Sequence, residues 1–322
     1  MINQNDFTVQ YGEQWQQFEA MLDALDRRKP AAAEFPALYR QICHHLALGR
    51  DRGYSSHLVA RLNRMVLRGH QHLYGVRRDS KSWLLHFLAA GFPAAVRTEA
   101  QLILLALALL VIPAIGMGIA IHYAPELVYS MLDPEQVREF EEMYRPDADH
   151  VGRRRDREST GDFLMFGYYI WNNIQVAFQC FASGFLLGVG PIFFLVYNGL
   201  LMGAVASHLQ HAGYTQTFYS FIIGHGAFEL TAIVFAGAAG LRLGLALLSP
   251  GRLRRSQALK AAAQKALPVV YGLIGMLVIA AMLEAFWSSS SLIPPGAKLA
   301  MGAVYWAGML TYFFTRGRTH ET

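Results

Sequence analysis

Six polar side chains stand inside long apolar runs of this chain, and their types and spacing define the chemistry open to it. Asn172 and Asn173 interrupt one run, and Asn198 interrupts the next. His225 and Glu229 are four residues apart and so share one face of a helix. Glu284 lies near the end of a further run. A charged group in hydrocarbon costs about 2.5–3.5 kcal/mol on insertion scales, so each of these six must turn inward and find a partner. Three kinds of chemistry fit. Amides and a His–Glu pair can be hydrogen-bonding glue between helices. The same groups can line a substrate or ion pathway. One histidine with carboxylates can also begin a metal or hydrolytic centre. That ligand set is thin for zinc, so no metal and no cofactor are expected. HExxH, GxSxG and P-loop motifs do not occur.

The elements that must position these residues are membrane spans. Of 322 residues, 53% are hydrophobic and 16% charged, against about 25% charged in an ordinary soluble domain. Mean hydropathy is +0.24. The apolar residues concentrate after residue 98 in runs of about 20, the length a helix needs to cross a bilayer. Solidly apolar runs without alternation exclude a β-barrel, and lipid leaves helices as the remaining form. The reading is an all-α polytopic membrane protein with six spans: 101–122, 163–188, 191–206, part of 218–248, 268–287 and 297–314. The stretch 218–248 is too long for one upright span, so a break is expected at Gly224–Gly226, with Arg242 snorkelling toward the headgroups.

Lys and Arg counts set the orientation. With six spans, residues 1–98, the 248–267 connection and the C-terminal tail share one side and carry 20 of them, against 7 on the other. Both termini are therefore expected in the cytoplasm, with an external loop at 123–162. The Arg153–Arg155 and Arg157 cluster falls in that loop, where 11 acidic residues outweigh it. The net charge of +5 thus reflects cytoplasmic loops, and no nucleic-acid partner is expected. The polar first 30 residues lack a signal peptide's apolar core. Cys43 and Cys180 fall in different compartments, which argues against a disulfide.

The chain divides into a cytoplasmic helical region, 1–98, and a transmembrane domain, 99–322. Helices are expected over Phe7–Arg28, Phe35–Leu48, Ser56–Tyr74 and Ser80–Ala95, and in the external loop over Pro134–Met143. Leu58, Leu62, Met65 and Val66 form one apolar stripe beside Arg61, Arg64 and Arg68. The N-terminal region reads as a bundle resting on the membrane surface, with docking of a partner or of anionic headgroups to its basic stripe as the sharper reading. Gly184/Gly188 and Gly199/Gly203 are GxxxG steps, suited to internal packing or to a homodimer.

The ordered series of motifs resembles the stage II sporulation protein M family of bacterial membrane proteins. It runs Asn172-Asn173, Val176-Ala177-Phe178, Gly184, Gly188, Asn198-Gly199, Gly203, Gly224-His225-Gly226-Ala227-Phe228-Glu229-Leu230, Ala236-Gly237 and Gly240-Leu241. The likeness is sharp over 165–251 and looser back to Phe92–Arg97 and forward to Glu284. It implies a multi-pass protein of the bacterial inner membrane. Founding members of that family take part in envelope remodelling during engulfment, beside peptidoglycan hydrolases; relatives occur in bacteria that never sporulate. The expected role is therefore a non-enzymatic scaffold or assembly subunit in the cell envelope. Its partners would be the lipid bilayer and envelope proteins, including peptidoglycan-remodelling enzymes. The alternative is a transporter or permease subunit that uses the polar cluster as its binding site, and an intramembrane hydrolase stands third.

Overall fold

The computed structural model describes residues 3–27, 32–74, 80–146, 152 and 159–316. The Arg153–Arg155 and Arg157 cluster lies outside them. The described residues form helices and turns with no strand, and they divide into two compact units, Met1–Ser80 and Lys81–Thr322.

The first unit is a three-helix bundle: α1 (Gln4–Asp26), α2 (Phe35–Asp51) and α3 (Ser56–Tyr74). Asn3 caps α1 by accepting the Asp6 amide at 2.9 Å. Phe7, Trp15, Phe18 and Leu22 recur at helical spacing, and their burial against Ile42 of α2 and Leu62 of α3 makes the core. The stripe on α3 faces inward as its periodicity predicts: Leu58, Leu62 and Met65 are buried. The basic residues beside it do not all face a partner. Arg61 donates twice to Glu19, at 3.1 and 2.8 Å, and Arg68 bridges Asp23 and Asp26. Two of the three arginines read as a docking stripe are thus spent on the acidic face of α1.

The second unit opens with α4 (Ser80–His86) and α5 (Phe92–Thr98), joined by a π-helical turn over Phe87–Gly91. Then come α6 (Ala100–Tyr123), α7 (Pro134–Tyr144), α8 (Ser159–Ala182), α9 (Val189–His211), α10 (Thr215–Leu248), α11 (Arg255–Met282) and α12 (Pro295–Thr315). Asp133 and Gln136 close a capping box on α7. Arg97 donates to the carbonyls of Phe313 and Arg316, satisfying the C-terminal end of α12. Phe92 and Val96 are buried in the same apolar core as Leu110, Leu195, Phe235 and Leu273, so the segment after Ser80 belongs to the membrane unit.

Among the described residues, four helices are long and apolar enough to cross a membrane: Ala100–Tyr123, Val189–His211, Thr215–Leu248 and Arg255–Ser288. The other two expected spans are helices of 24 and 21 residues, α8 and α12. Their composition sets them apart. Asn172, Asn173, Gln175 and Gln179 dilute α8, and Lys298 with two tyrosines and a tryptophan dilutes α12.

The break expected at Gly224–Gly226 is absent: α10 runs unbroken for 34 residues, about 51 Å at 1.5 Å per residue. A helical glycine costs only about 1 kcal/mol, and α10 packs against α6, α8, α9, α11 and α12, whose contacts offset that cost. At Gly224 the missing side chain admits Trp287, whose ring lies 3.3 Å from where a Cβ would stand. The 248–267 connection is also mostly helix, because α11 begins at Arg255 and carries Lys260 and Lys265 on its early turns.

Glycines decide how closely these helices approach. A Cβ on Gly184 would fall 2.3 Å from the Gly240 carbonyl oxygen, and one on Gly244 would fall 2.3 Å from the Gly188 nitrogen. A Cβ on Gly199 would meet the Leu110 carbonyl oxygen at 2.2 Å, and one on Gly203 that of Ala114 at 2.1 Å. Both GxxxG steps are therefore consumed inside the chain, one by α10 and one by α6.

Candidate functional site

The site is built where α10 meets the end of α11. α10 presents His225 and, one turn on, Glu229 toward α11. At Leu283 the last turns of α11 widen into a π-helical segment, Leu283–Ser288. Such widenings are rare and often mark functional positions, because they rotate the following side chains out of α register. Here the segment carries both Glu284 and Ser288.

His225 is buried, with 5% of its surface exposed. Its Nδ1 lies 3.0 Å from Ser288 Oγ, which turns Nε2 toward Glu229, 4.0 Å from Oε2. Phe221 packs edge-on against the imidazole with ring centroids 5.2 Å apart. Ser288 is itself fixed, because its carbonyl accepts the buried Lys298 ammonium at 2.6 Å. Ser289 Oγ, beside it, donates to the Ala285 carbonyl at 2.6 Å. One ligand-type atom each from His225, Glu229 and Glu284 all lie within 4.8 Å of one another.

Of the six residues singled out in the sequence, His225, Glu229 and Glu284 are therefore brought together. The asparagines make other contacts. Asn172 Nδ2 donates to Asn173 Oδ1 at 3.3 Å. Asn173 is 1% exposed, and its own Nδ2 has no hydrogen-bond partner among the described residues. Asn198 turns back on its own helix, donating to the Phe194 carbonyl at 2.7 Å.

Sequence reasoning passed over two contributors, Ser288 and Lys298, and one buried acid of a separate group, Glu99. Ser288 and Lys298 gave no signal, because a serine run and a lysine at a helix start look like ordinary interface residues. Glu99 is buried on 95% of its side chain at the opposite end of α10. It accepts a hydrogen bond from Arg242 and has Lys265 Nζ at 3.8 Å. Arg242 therefore points at a carboxylate and not at headgroups. The sequence signal was available: an acidic residue at the mouth of the first apolar run needs a cation, and Arg242 is the basic residue within α10's apolar stretch. Arg242 follows His225 by 17 residues, about 25 Å along the axis, so the two polar groups are separate.

The family model for stage II sporulation protein M matches residues 100–289, more than half of the chain. The chain belongs to that family. The match takes in α6 to the π-helical segment, and so every residue of the His225–Glu229–Glu284 group. This member of the stage II sporulation protein M family also matches, over residues 5–75, a model described as a domain of unknown function (DUF8413). No curated protein and no solved structure matches the chain. Family membership and the apolar helices together make this a multi-pass membrane protein.

Proposed function

We propose that this protein is a non-enzymatic scaffold or assembly subunit of the bacterial cell envelope. In this reading it sits in the inner membrane with six spans and both termini in the cytoplasm, and its partners are envelope proteins, including enzymes that remodel peptidoglycan. One observation carries the reading: the bundle is sealed backbone to backbone at Gly184–Gly240, Gly188–Gly244, Gly199–Leu110 and Gly203–Ala114. Helices seated on one another's backbone in this way resist sliding, which suits a fixed platform better than a carrier that alternates between two shapes. The separate three-helix unit at 3–74 supplies a surface a platform can offer to partners.

A permease subunit is the second reading, favoured by the burial of His225 beside Glu229 and Glu284 within the spans. Deletion of residues 1–75 separates the two. A scaffold lacking this unit inserts at normal abundance yet fails to restore envelope integrity to a strain without the gene, scored as sensitivity to detergent and to cell-wall antibiotics. Full restoration by the truncated protein would count against the scaffold.

A further inference from the structure

We propose that His225, Glu229 and Glu284 bind one divalent first-row transition-metal cation of the zinc class. Two carboxylates and an imidazole converge within 4.8 Å, in a helical bundle where unpaired charge is expensive. Two carboxylates this close cannot both ionise without a compensating cation. Lys298, buried beside the group, donates its ammonium to the neutral Ser288 carbonyl at 2.6 Å. A divalent ion held where the three ligand atoms meet would bring positive charge to both carboxylates at once.

Geometry agrees. Ligand bonds of about 2.0–2.2 Å put two ligand atoms of one tetrahedral ion about 3.4 Å apart. Nε2 of His225 and Oε2 of Glu229 are already 4.0 Å apart. Binding an ion would draw these atoms closer together by up to roughly 1.4 Å from the 4.8 Å within which they now lie. His225 is also oriented as a ligand. An Nδ1–H donated to Ser288 Oγ, 3.0 Å away, leaves the Nε2 lone pair facing the carboxylates, the outer-shell arrangement common to metal-bound histidines. Ser288 is in turn braced by Lys298. One nitrogen and two carboxylates suit a zinc-class ion. Calcium takes six to eight oxygens, and magnesium a near-ideal octahedron of oxygens.

This revises the expectation of no metal. One histidine with nearby carboxylates looked too thin in the sequence. The π-helical segment sets Glu284, already singled out in the sequence, beside His225 and Glu229, and supplies what periodicity cannot display, the serine that orients His225.

The test uses untagged full-length protein in detergent, stripped with a chelator and titrated with cobalt(II) alone. The expected result is one cobalt per chain, seen as visible d–d absorption, displaced by zinc but not by magnesium. His225→Gln, Glu229→Gln and Glu284→Gln should each weaken binding by tenfold or more, and Ser288→Ala by about 10–100-fold. Zinc should also raise the thermal midpoint of the stripped wild type by mass action. Should the ligand variants not fold, the wild-type titration and its melting shift decide alone. Absence of a saturable single site in the wild type would overturn the proposal, as would equal binding by a folded triple variant.

Discussion

Gly240 packs on the carbonyl oxygen of Cys180 so closely that a Cβ at Gly240 would stand 2.3 Å from it. The same Cβ would meet Pro191 Cγ at 2.7 Å and the Phe181 oxygen at 3.0 Å. Two of the three obstacles are backbone, so no side-chain rotation relieves the clash. Gly240→Ala should lower stability by about 1–3 kcal/mol, the usual cost of overpacking, read as an earlier thermal midpoint in detergent. Gly275→Ala is the control, since nothing lies within 4 Å of its Cβ position, and it should leave the midpoint unchanged or raise it by the gain in helix propensity, up to about 1 kcal/mol.

The Glu99–Arg242 pair predicts a non-additive double mutant. Arg242→Met strands a carboxylate that is buried on 95% of its side chain. Stranding a buried charge costs about 3–5 kcal/mol, and Lys265 at 3.8 Å recovers part of that. Glu99→Gln combined with Arg242→Met should therefore be more stable than Arg242→Met alone. Equal or lower stability of the double variant would remove the pair from the account.

The three-helix unit should lose stability in mild acid. Trp15 Nε1 donates to His45 Nδ1 at 3.2 Å, which requires a neutral imidazole. Burial pushes the His45 value below its ordinary range, and the neighbouring His44 adds to the shift. A depressed histidine favours the neutral form in the fold. Its contribution is present above the unfolded value of about 6.5 and is lost as pH falls below it. Asp26 does not obscure this window. Hydrogen bonds from Arg68 and His72 hold its carboxyl below 3.8, so its own contribution fades only in stronger acid. Between pH 7.5 and pH 5 the midpoint should fall by roughly 4–8 °C per kcal/mol lost. His45→Phe should flatten that slope.

The proposed orientation is tested with single cysteines at Ser130 and Ser256, Cys43 and Cys180 having been replaced by alanine. An impermeant thiol reagent applied to intact spheroplasts should label Ser130→Cys and spare Ser256→Cys. The reverse pattern would invert the topology.

Legibility of the sequence followed the range of the forces involved. Helix positions were readable because burial imposes a period: Phe7, Trp15 and Phe18 mark α1, and Leu58, Leu62 and Met65 mark α3. The glycine steps were readable as close contacts, but not whether those contacts lay within one chain or between two. Continuity of α10 was not readable. Gly224 and Gly226 look like a break in isolation, and only Trp287 filling the space beside Gly224 shows why the helix continues. His225 and Glu229 were visible together because local spacing pairs them. Ser288 and Lys298 were not, since they reach the site through a π-helical turn and a tertiary hydrogen bond. Asn198 was visible as a polar group in a span, but its bond to the Phe194 carbonyl of its own helix was not.

The central claim is a fixed bundle, and distances between spin labels measure it most directly. Leu105 on α6 and Leu245 on α10 both face outward, at 47% and 49% exposure, so labels there disturb no core contact. Double electron–electron resonance on the reconstituted, otherwise cysteine-free protein should give one narrow distance distribution, unchanged by removal of residues 1–75. Two populations whose balance shifts with pH or with an ion gradient would contradict the fixed platform and point to a carrier.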